Sequence, residues 1–212
     1  MKLFVYDHCP FCVRARIPFG LKDIPLDLGF QLNDDEETPI RMIGAKMLPI
    51  LQDDGKYMGE SLDIVHYLDA LDGLPVFGGA PDPALVEWLE KWNDVINDLV
   101  IPRTPDPVYP EFATPEAIAY FTRKKTATFG DFDGLKARTP ELIASLELGL
   151  EALVPLLPDA EGASINDILL FPVLRSLSVM DGIRYPAAVD AYRHRMAERS
   201  GVPLVSALRA SC

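Results

Sequence analysis

The four residues Cys9-Pro10-Phe11-Cys12 restrict this chain more than any other stretch. They follow Lys2-Leu3-Phe4-Val5-Tyr6, an apolar run short enough for a buried strand, and precede Val13, Ile17 and Leu21, which fall on one face of a helix. Two cysteines at this spacing, where a strand runs into a helix, make a redox geometry. Pro10 suits the first helical position, because it lacks the N–H that would go unpaired there and its φ is already helical. Cys9 is then the N-cap. Its sulfur faces the free N–H groups and the positive end of the helix dipole, which favour thiolate over thiol and can bring such a pKa to about 3.5–7.5. Cys12, one turn inside, is expected to be more buried. The asymmetry makes Cys9 the attacking thiolate and Cys12 the thiol that resolves a mixed disulfide.

Other uses of paired cysteines fit less well. Zinc would need two further ligands at suitable spacing, and the remaining candidates are Cys212 and the scattered His8, His66 and His194, so no metal site is expected. Covalent haem attachment needs a His directly after the second cysteine, where this chain has Val13. Three cysteines in 212 residues are too few for a disulfide framework. The N-terminus carries one Lys before an apolar run interrupted at Asp7, unlike a signal peptide, and no stretch approaches the roughly 20 apolar residues of a membrane span. The expected compartment is the cytoplasm, where thiols stay reduced. Twenty Lys and Arg against 32 Asp and Glu leave a net charge of −12. Such a surface repels phosphate backbones and anionic lipid, so neither nucleic acid nor membrane is an expected partner.

Downstream, Gly20 and Pro25 bracket a turn, and Leu26 to Gln31 reads as a second strand. The acidic run Asn33 to Glu37 leads to Thr38-Pro39, read as a cap and a first helical position, with Gly44 as the stop. Leu48-Pro49-Ile50-Leu51 and Lys56 to Met58 form two brief strands around the turn Asp53-Asp54-Gly55. Pro49, excluded from a central ladder position, should open its strand, where a cis peptide would suit it. Ser61 is placed to cap a helix that carries Ile64, Leu68 and Leu71 and stops at Gly73. The order is βαβαββα over residues 1–72. Residues 73–83, dense in Gly and Pro and without a period, read as a linker, and residues 84–212 as an all-helical domain.

At the start of that domain Asp82 and Pro83 look like the cap and first position of a helix marked by Leu85, Trp88, Leu89, Trp92, Ile96, Leu99 and Val100, with the tryptophans in the core. Pro102, Pro105, Pro107, Pro110 and Pro115 predict an extended loop. Helices are expected from Pro115 to about Ala127, and from Thr139-Pro140 with Leu142, Leu146, Leu150 and Leu153 aligned. A further one opens at Ser164, where Ser164 and Asp167 make a capping box. Its run Ile168 to Leu174 is apolar all round and belongs at the centre of a bundle, bent at Pro172. A last helix starts near Pro186.

A small βαβαββα unit with Cys-Pro-Phe-Cys, a Leu-Pro before its third strand and a Glu-Ser before its last helix resembles the thioredoxin-like domain of glutaredoxins. The long first helix of the second half and its Ser164 to Asp167 capping box look like the C-terminal domain of glutathione transferases. The combination, with the stretches DHCPFC, LNDDEETP and ESLDIVHYLD, is similar over essentially the whole chain to bacterial glutaredoxin 2, the large, transferase-shaped glutaredoxins. The resemblance implies an α/β, thioredoxin-like glutaredoxin domain followed by an all-α, transferase-like one, with Cys9 as nucleophile and Cys12 as resolving thiol. It implies that Leu48, held by cis-Pro49, offers its N–H and C=O to the cysteinyl part of glutathione as an added strand does. Glu60 and Ser61 would take the γ-glutamyl end, whose carboxylate suits the N–H groups of the helix starting at Ser61 and whose ammonium suits Glu60. Lys46 is either a partner for the glycyl carboxylate or a solvated lysine.

The resemblance further implies a monomeric glutathione-dependent thiol–disulfide oxidoreductase of cell redox homeostasis. Its partners would be glutathione, as co-substrate, and glutathionylated or disulfide-containing proteins, with no cofactor bound permanently. The alternative is a glutathione transferase or dehydroascorbate reductase using the same glutathione site. A conjugating transferase needs a hydroxyl on the glutathione thiolate, and Tyr6, its candidate, falls inside the apolar strand. A non-catalytic module on a transferase fold is a third class, opposed by the reactive dithiol. Two residues depart from the pattern: His8, where small glutaredoxins often carry a basic residue, reads as a surface loop position, and Pro18 sits where the first helix should continue. Cys212 reads as incidental.

Overall fold

The computed structural model describes residues 1–71 and 73–210. Its first half builds a four-stranded sheet from β1 (Lys2–Val5), β2 (Asp27–Phe30), β3 (Ile50–Asp53) and β4 (Lys56–Met58), in the order β2-β1-β3-β4. β1 runs parallel to β2, with Leu3 opposite Leu28, and antiparallel to β3, with Leu3 opposite Leu51. A parallel pair needs a crossover, which α1 (Pro10–Leu21) supplies. β3 and β4 need only the turn at Asp54 and Gly55, both at positive φ. α2 (Glu37–Ile43) leads into β3, and α3 (Ser61–Leu71) closes the unit. Leu3, Val5, Ile50 and Leu51 of the sheet are buried with Cys12, Ala15 and Phe19 of α1 and Ile64 and Leu68 of α3.

The second half is helical: α4 (Pro83–Val100), α5 (Pro115–Phe129), α6 (Phe132–Ala137), α7 (Thr139–Leu153), α8 (Ile165–Leu177), α9 (Ala187–Ser200) and α10 (Val205–Ala210). α4 starts as expected, with the Asp82 carboxylate accepting from the Ala84 N–H at 2.8 Å and Pro83 in first position. α8 has the expected capping box of Ser164 and Asp167. Ile168, Leu170, Phe171 and Leu174 of α8 are fully buried, which is why the sequence there shows no polar face. Trp88 is core, and its indole N–H donates to the Gly149 carbonyl at 2.7 Å. Among the described residues no helix is long and apolar enough to cross a membrane.

The halves share one core through α1. Its Cys12, Ala15 and Phe19 face the sheet, while Val13 and Ile17 join Trp88, Leu146, Phe171 and Leu174 in the bundle. Gly20 allows the end of α1 to approach α9, since a Cβ there would lie 2.2 Å from the Ser200 carbonyl oxygen. The connection between the halves is tied down: the Asp69 carboxylate accepts from the N–H groups of Val76 at 3.0 Å and Phe77 at 2.8 Å, and Phe77 is buried in the bundle.

Several local expectations need correction. α2 is not capped by Thr38, whose N–H instead donates to the Asp35 carboxylate at 3.0 Å; the helix starts at Glu37 and Pro39 lies in its first turn. Ser61 is the first helical residue of α3, not its cap. Glu60 precedes it at φ 60°, with its carbonyl accepting from the Ile64 N–H at 3.0 Å. The proline-rich stretch is not an extended loop but carries two 3-10 turns, Ile101–Arg103 and Pro110–Phe112, pinned by the buried Tyr109 and Phe112. α1 continues through Pro18, because burial on two sides outweighs the missing hydrogen bond. The domain boundary at Asp72 and the role of Cys212 fall outside the described residues.

Candidate active site

Cys9 stands between β1 and α1 with the extended backbone of an N-cap, φ −76° and ψ 122°, and Pro10 follows in the first helical position. Its N–H donates to the Tyr6 carbonyl at 3.2 Å and its own carbonyl accepts from Val13 at 3.0 Å. That turn delivers the sulfur to the helix N-terminus. Cys9 is partly exposed, whereas Cys12 has 0% of its surface exposed. The Cys9 thiol is pulled down to about 6, first by a hydrogen bond from the Cys12 side chain and further by His8 and the N–H groups of Cys12 and Phe11, against the opposing effect of burial. Cys12 is pushed well above the ordinary thiol value, by burial first and then by Cys9. At neutral pH the pair therefore holds one thiolate and one thiol.

Behind the sulfur lies a buried layer of charge that the second half supplies. Asp7 Oδ1 accepts from Arg16 Nη1 of α1 and from Arg175 Nη2 of α8, the latter at 2.9 Å, and the Asp7 carbonyl accepts from Arg175 Nη1 at 2.6 Å. Next along the chain, the His8 N–H donates to Glu111 Oε1 at 2.8 Å, and the His8 ring Nδ1 lies 2.6 Å from the same oxygen. Glu111 is fully buried. The His8 ring packs among Tyr6, Tyr109, Phe112 and Phe121, with centroids 5.1–6.0 Å away. His8 is thus not a surface loop residue. The proline-rich segment lies beneath the site and grips the residue next to Cys9.

In front, depressions surround the thiol. One, about 340 Å³, is lined by Cys9 itself with Tyr6, Lys46, Leu48, Tyr120 and Lys124. A second, about 240 Å³, is lined by Phe11, Met47, Leu48, Pro49, Glu60 and Ser61. The fold therefore brings all four predicted glutathione-site residues into one hollow. The Leu48–Pro49 peptide is cis, and among the described residues the Leu48 N–H and C=O have no hydrogen-bond partner. Glu60 holds a left-handed conformation that is costly for a non-glycine residue. Ser61, the first residue of α3, whose first-turn N–H groups have no partner within the helix, lines the same hollow.

Two neighbours differ from their expected roles. Lys46 is not a solvated lysine: its ammonium donates to the Asn33 carbonyl at 2.7 Å and lies 3.7 Å from the centroid of the Tyr120 ring. Tyr6 lies just beyond β1 instead of inside it and lines the Cys9 pocket. Its hydroxyl is buried without a partner among the described residues, and burial drives its pKa upward. Across the pocket mouth, Glu36 accepts hydrogen bonds from the Tyr120 hydroxyl and from Lys124 at 3.3 Å, linking the start of α2 to α5.

A thioredoxin-type sheet with a polarised dithiol at its first helix, fused to a transferase-type bundle, defines a transferase-shaped glutaredoxin. Residues 84–208 match the family model for the glutaredoxin 2 C-terminal domain, and residues 3–76 match that for the glutathione S-transferase N-terminal domain. Glutaredoxin 2 of Escherichia coli K12 is 47% identical over 98% of this chain and 99% of its own. The crystal structure of glutaredoxin 2 from Salmonella typhimurium in complex with glutathione superposes with a TM-score of 0.93 at 48% identity, covering 98% of this chain and 97% of that one. Human glutathione S-transferase T1-1 shares the fold at a TM-score of 0.59 and 16% identity, covering 99% of this chain and 88% of its own. The chain belongs to the glutaredoxin 2 family.

Proposed function

We propose that the glutathione-dependent oxidoreductase activity of this family is carried in this chain by Cys9 and Cys12, acting on protein–glutathione mixed disulfides and protein disulfides. The observation that carries the reading is the inequality of the two thiols: a partly exposed Cys9 held at about 6 beside a fully buried Cys12 held well above the thiol range. The Cys9 thiolate attacks the glutathione sulfur, the substrate S–S bond breaks, and the protein thiolate leaves with the electron pair. A second glutathione then frees Cys9; in the dithiol route Cys12 closes the Cys9–Cys12 disulfide instead.

Glutathione binds along Leu48 and Pro49 as an added strand, with its γ-glutamyl carboxylate on the α3 N-terminus at Ser61 and its ammonium on Glu60. The crystal structure of the Salmonella relative in complex with glutathione supports glutathione as the ligand. The protein acts as a cytoplasmic monomer, with its domains dividing at 1–72, 73–83 and 84–212.

The test is a pair of single mutants. Cys9→Ser should abolish all thiol exchange. Cys12→Ser should retain deglutathionylation and accumulate a glutathione adduct on Cys9, while its reduction of protein disulfides falls at least about tenfold for want of a resolving thiol. Equal loss of deglutathionylation in both mutants would overturn the assignment. A second reading, glutathione conjugation as a side activity, is favoured by the Tyr6 hydroxyl, which lines the Cys9 pocket and has no partner among the described residues. A chloroaromatic conjugation rate that is unaffected by Tyr6→Phe would remove it.

A further inference from the structure

A third cavity, about 340 Å³, lies between the Cys9-Pro10-Phe11-Cys12 turn and α4, a volume at the lower end of the roughly 300–1,000 Å³ typical of small-molecule sites. Leu89, Ile96 and Val100 of α4 and Val173 of α8 give it apolar walls, and among the described residues no acidic side chain lines it. Arg14 projects into it from α1. Among the described residues Arg14 makes no ion pair; its guanidinium lies 4.8 Å from the Phe11 ring centroid, and its Nε is buried without a partner. The other arginines close to the dithiol, Arg16 and Arg175, both pair with Asp7. Burial pulls the Arg14 pKa below its ordinary value, and Cys9 opposes that. A partly desolvated guanidinium without a carboxylate is a cost that an anionic ligand offsets.

We infer that this cavity is the subsite for the leaving half of the mixed disulfide, and that it selects thiols combining an apolar body with a carboxylate paired to Arg14. The inference rests on the reading of Cys9 as the attacking thiolate. Phe11, 51% exposed, lines both this cavity and the one holding Leu48, Pro49, Glu60 and Ser61. With the glutathionyl half on the Glu60 side of Phe11, the half that departs needs different space, and the Arg14 side provides it. Cys9 bonds to the glutathione sulfur, the S–S bond to the departing thiol breaks, and that thiolate takes the electron pair, with its carboxylate already held by Arg14.

The test compares glutathione mixed disulfides of 3-mercaptobenzoate and 3-mercaptobenzamide, which differ in charge but little in shape, on the intact protein with glutathione as reductant. The wild type should prefer the carboxylate by about tenfold in kcat/KM. Arg14→Met, and Asn97→Asp, which brings a carboxylate to the same cavity from α4, should each bring the ratio close to one. A ratio cancels any general change in Cys9 reactivity. Equal turnover of both substrates by the wild type, or a preference that survives both substitutions and so belongs to the lysines around Cys9, would overturn the subsite. Turnover of neither substrate would instead overturn the role of Cys9 on which it rests.

Discussion

Two seams join the halves of the molecule around Cys9, and they are built from similar groups in opposite surroundings. Behind the thiol, Asp7 meets Arg16 and Arg175, and His8 meets Glu111, with all five side chains mostly or wholly buried. In front, Glu36 meets Tyr120 and Lys124 in open solvent. Each seam sets a carboxylate from one half against donors from the other. The dielectric separates them, because the same charges at the same distance interact several times more strongly out of water, and cost more to leave unpaired there. The rear seam grips the backbone of the two residues before Cys9 and so sets where the sulfur sits. The front seam touches only side chains at the pocket rim and so bears on access.

The largest expected effect comes from breaking the rear seam at Arg175. Arg175 is 1% exposed and donates to the Asp7 carboxylate, to the Asp7 carbonyl and, at 2.8 Å, to the Pro203 carbonyl. Arg175→Met leaves those acceptors buried and should cost about 3–5 kcal/mol in urea unfolding. Arg175→Met combined with Asp7→Asn should cost less than the sum of the single changes, since Arg175 and Asp7 then no longer strand each other, while Arg16 loses its carboxylate in the double mutant as in Asp7→Asn alone. A loss below about 1 kcal/mol for Arg175→Met would place this seam with ordinary surface pairs and erase the contrast.

This seam also marks the limit of what the sequence discloses. The dithiol at a helix start, the Leu48-Pro49 corner, the Asp82-Pro83 start and the Ser164 capping box are legible because a few adjacent residues determine each of them. Arg175 and Asp7 are 168 positions apart, and Glu111 and His8 are 103 apart. With 32 acidic residues in the chain, nothing local distinguishes Glu111 as the buried one. His8 is misread for the same reason: the aromatic rings enclosing it come mainly from Tyr109, Phe112 and Phe121, which folding brings in. Ser61 fails differently, through a one-residue shift caused by the left-handed Glu60, a conformation sequence pattern does not predict for Glu.

The intermediate effect is at Glu111, where stability and chemistry should move together. Glu111→Ala strands the buried His8 N–H, a loss of about 1–3 kcal/mol, and frees the ring whose charge helps to lower the Cys9 pKa. Rates of iodoacetamide alkylation against pH should show the wild-type thiolate appearing with a midpoint near about 6. The mutant midpoint should lie higher. The sign follows from the direction of the His8 effect: His8 lowers the Cys9 pKa, so loosening it returns Cys9 towards an ordinary thiol. An unchanged midpoint would reduce Glu111 to a structural anchor with no hold on the chemistry.

The smallest effect should come from Glu36, and its smallness is the test. Hydrogen bonds from Tyr120 and Lys124 hold the Glu36 carboxyl below its ordinary value, so whatever this link contributes to stability is present above the usual carboxylate range and lost as pH falls below it. At neutral pH the link is closed, yet its groups are solvated and screened by salt. Glu36→Gln should therefore leave the melting temperature unchanged at low and high salt alike. What should change is passage between α2 and α5 to the pocket where Lys46, Tyr120 and Lys124 surround Cys9. Alkylation of Cys9 by a bulky maleimide, normalised to iodoacetamide, should rise about twofold, the scale of a weak exposed pair. The same rise should appear in the wild type as salt is added and be absent in Glu36→Gln. A melting temperature that falls with Glu36→Gln would show that the front seam bears load like the rear one, and that exposure is not what separates them.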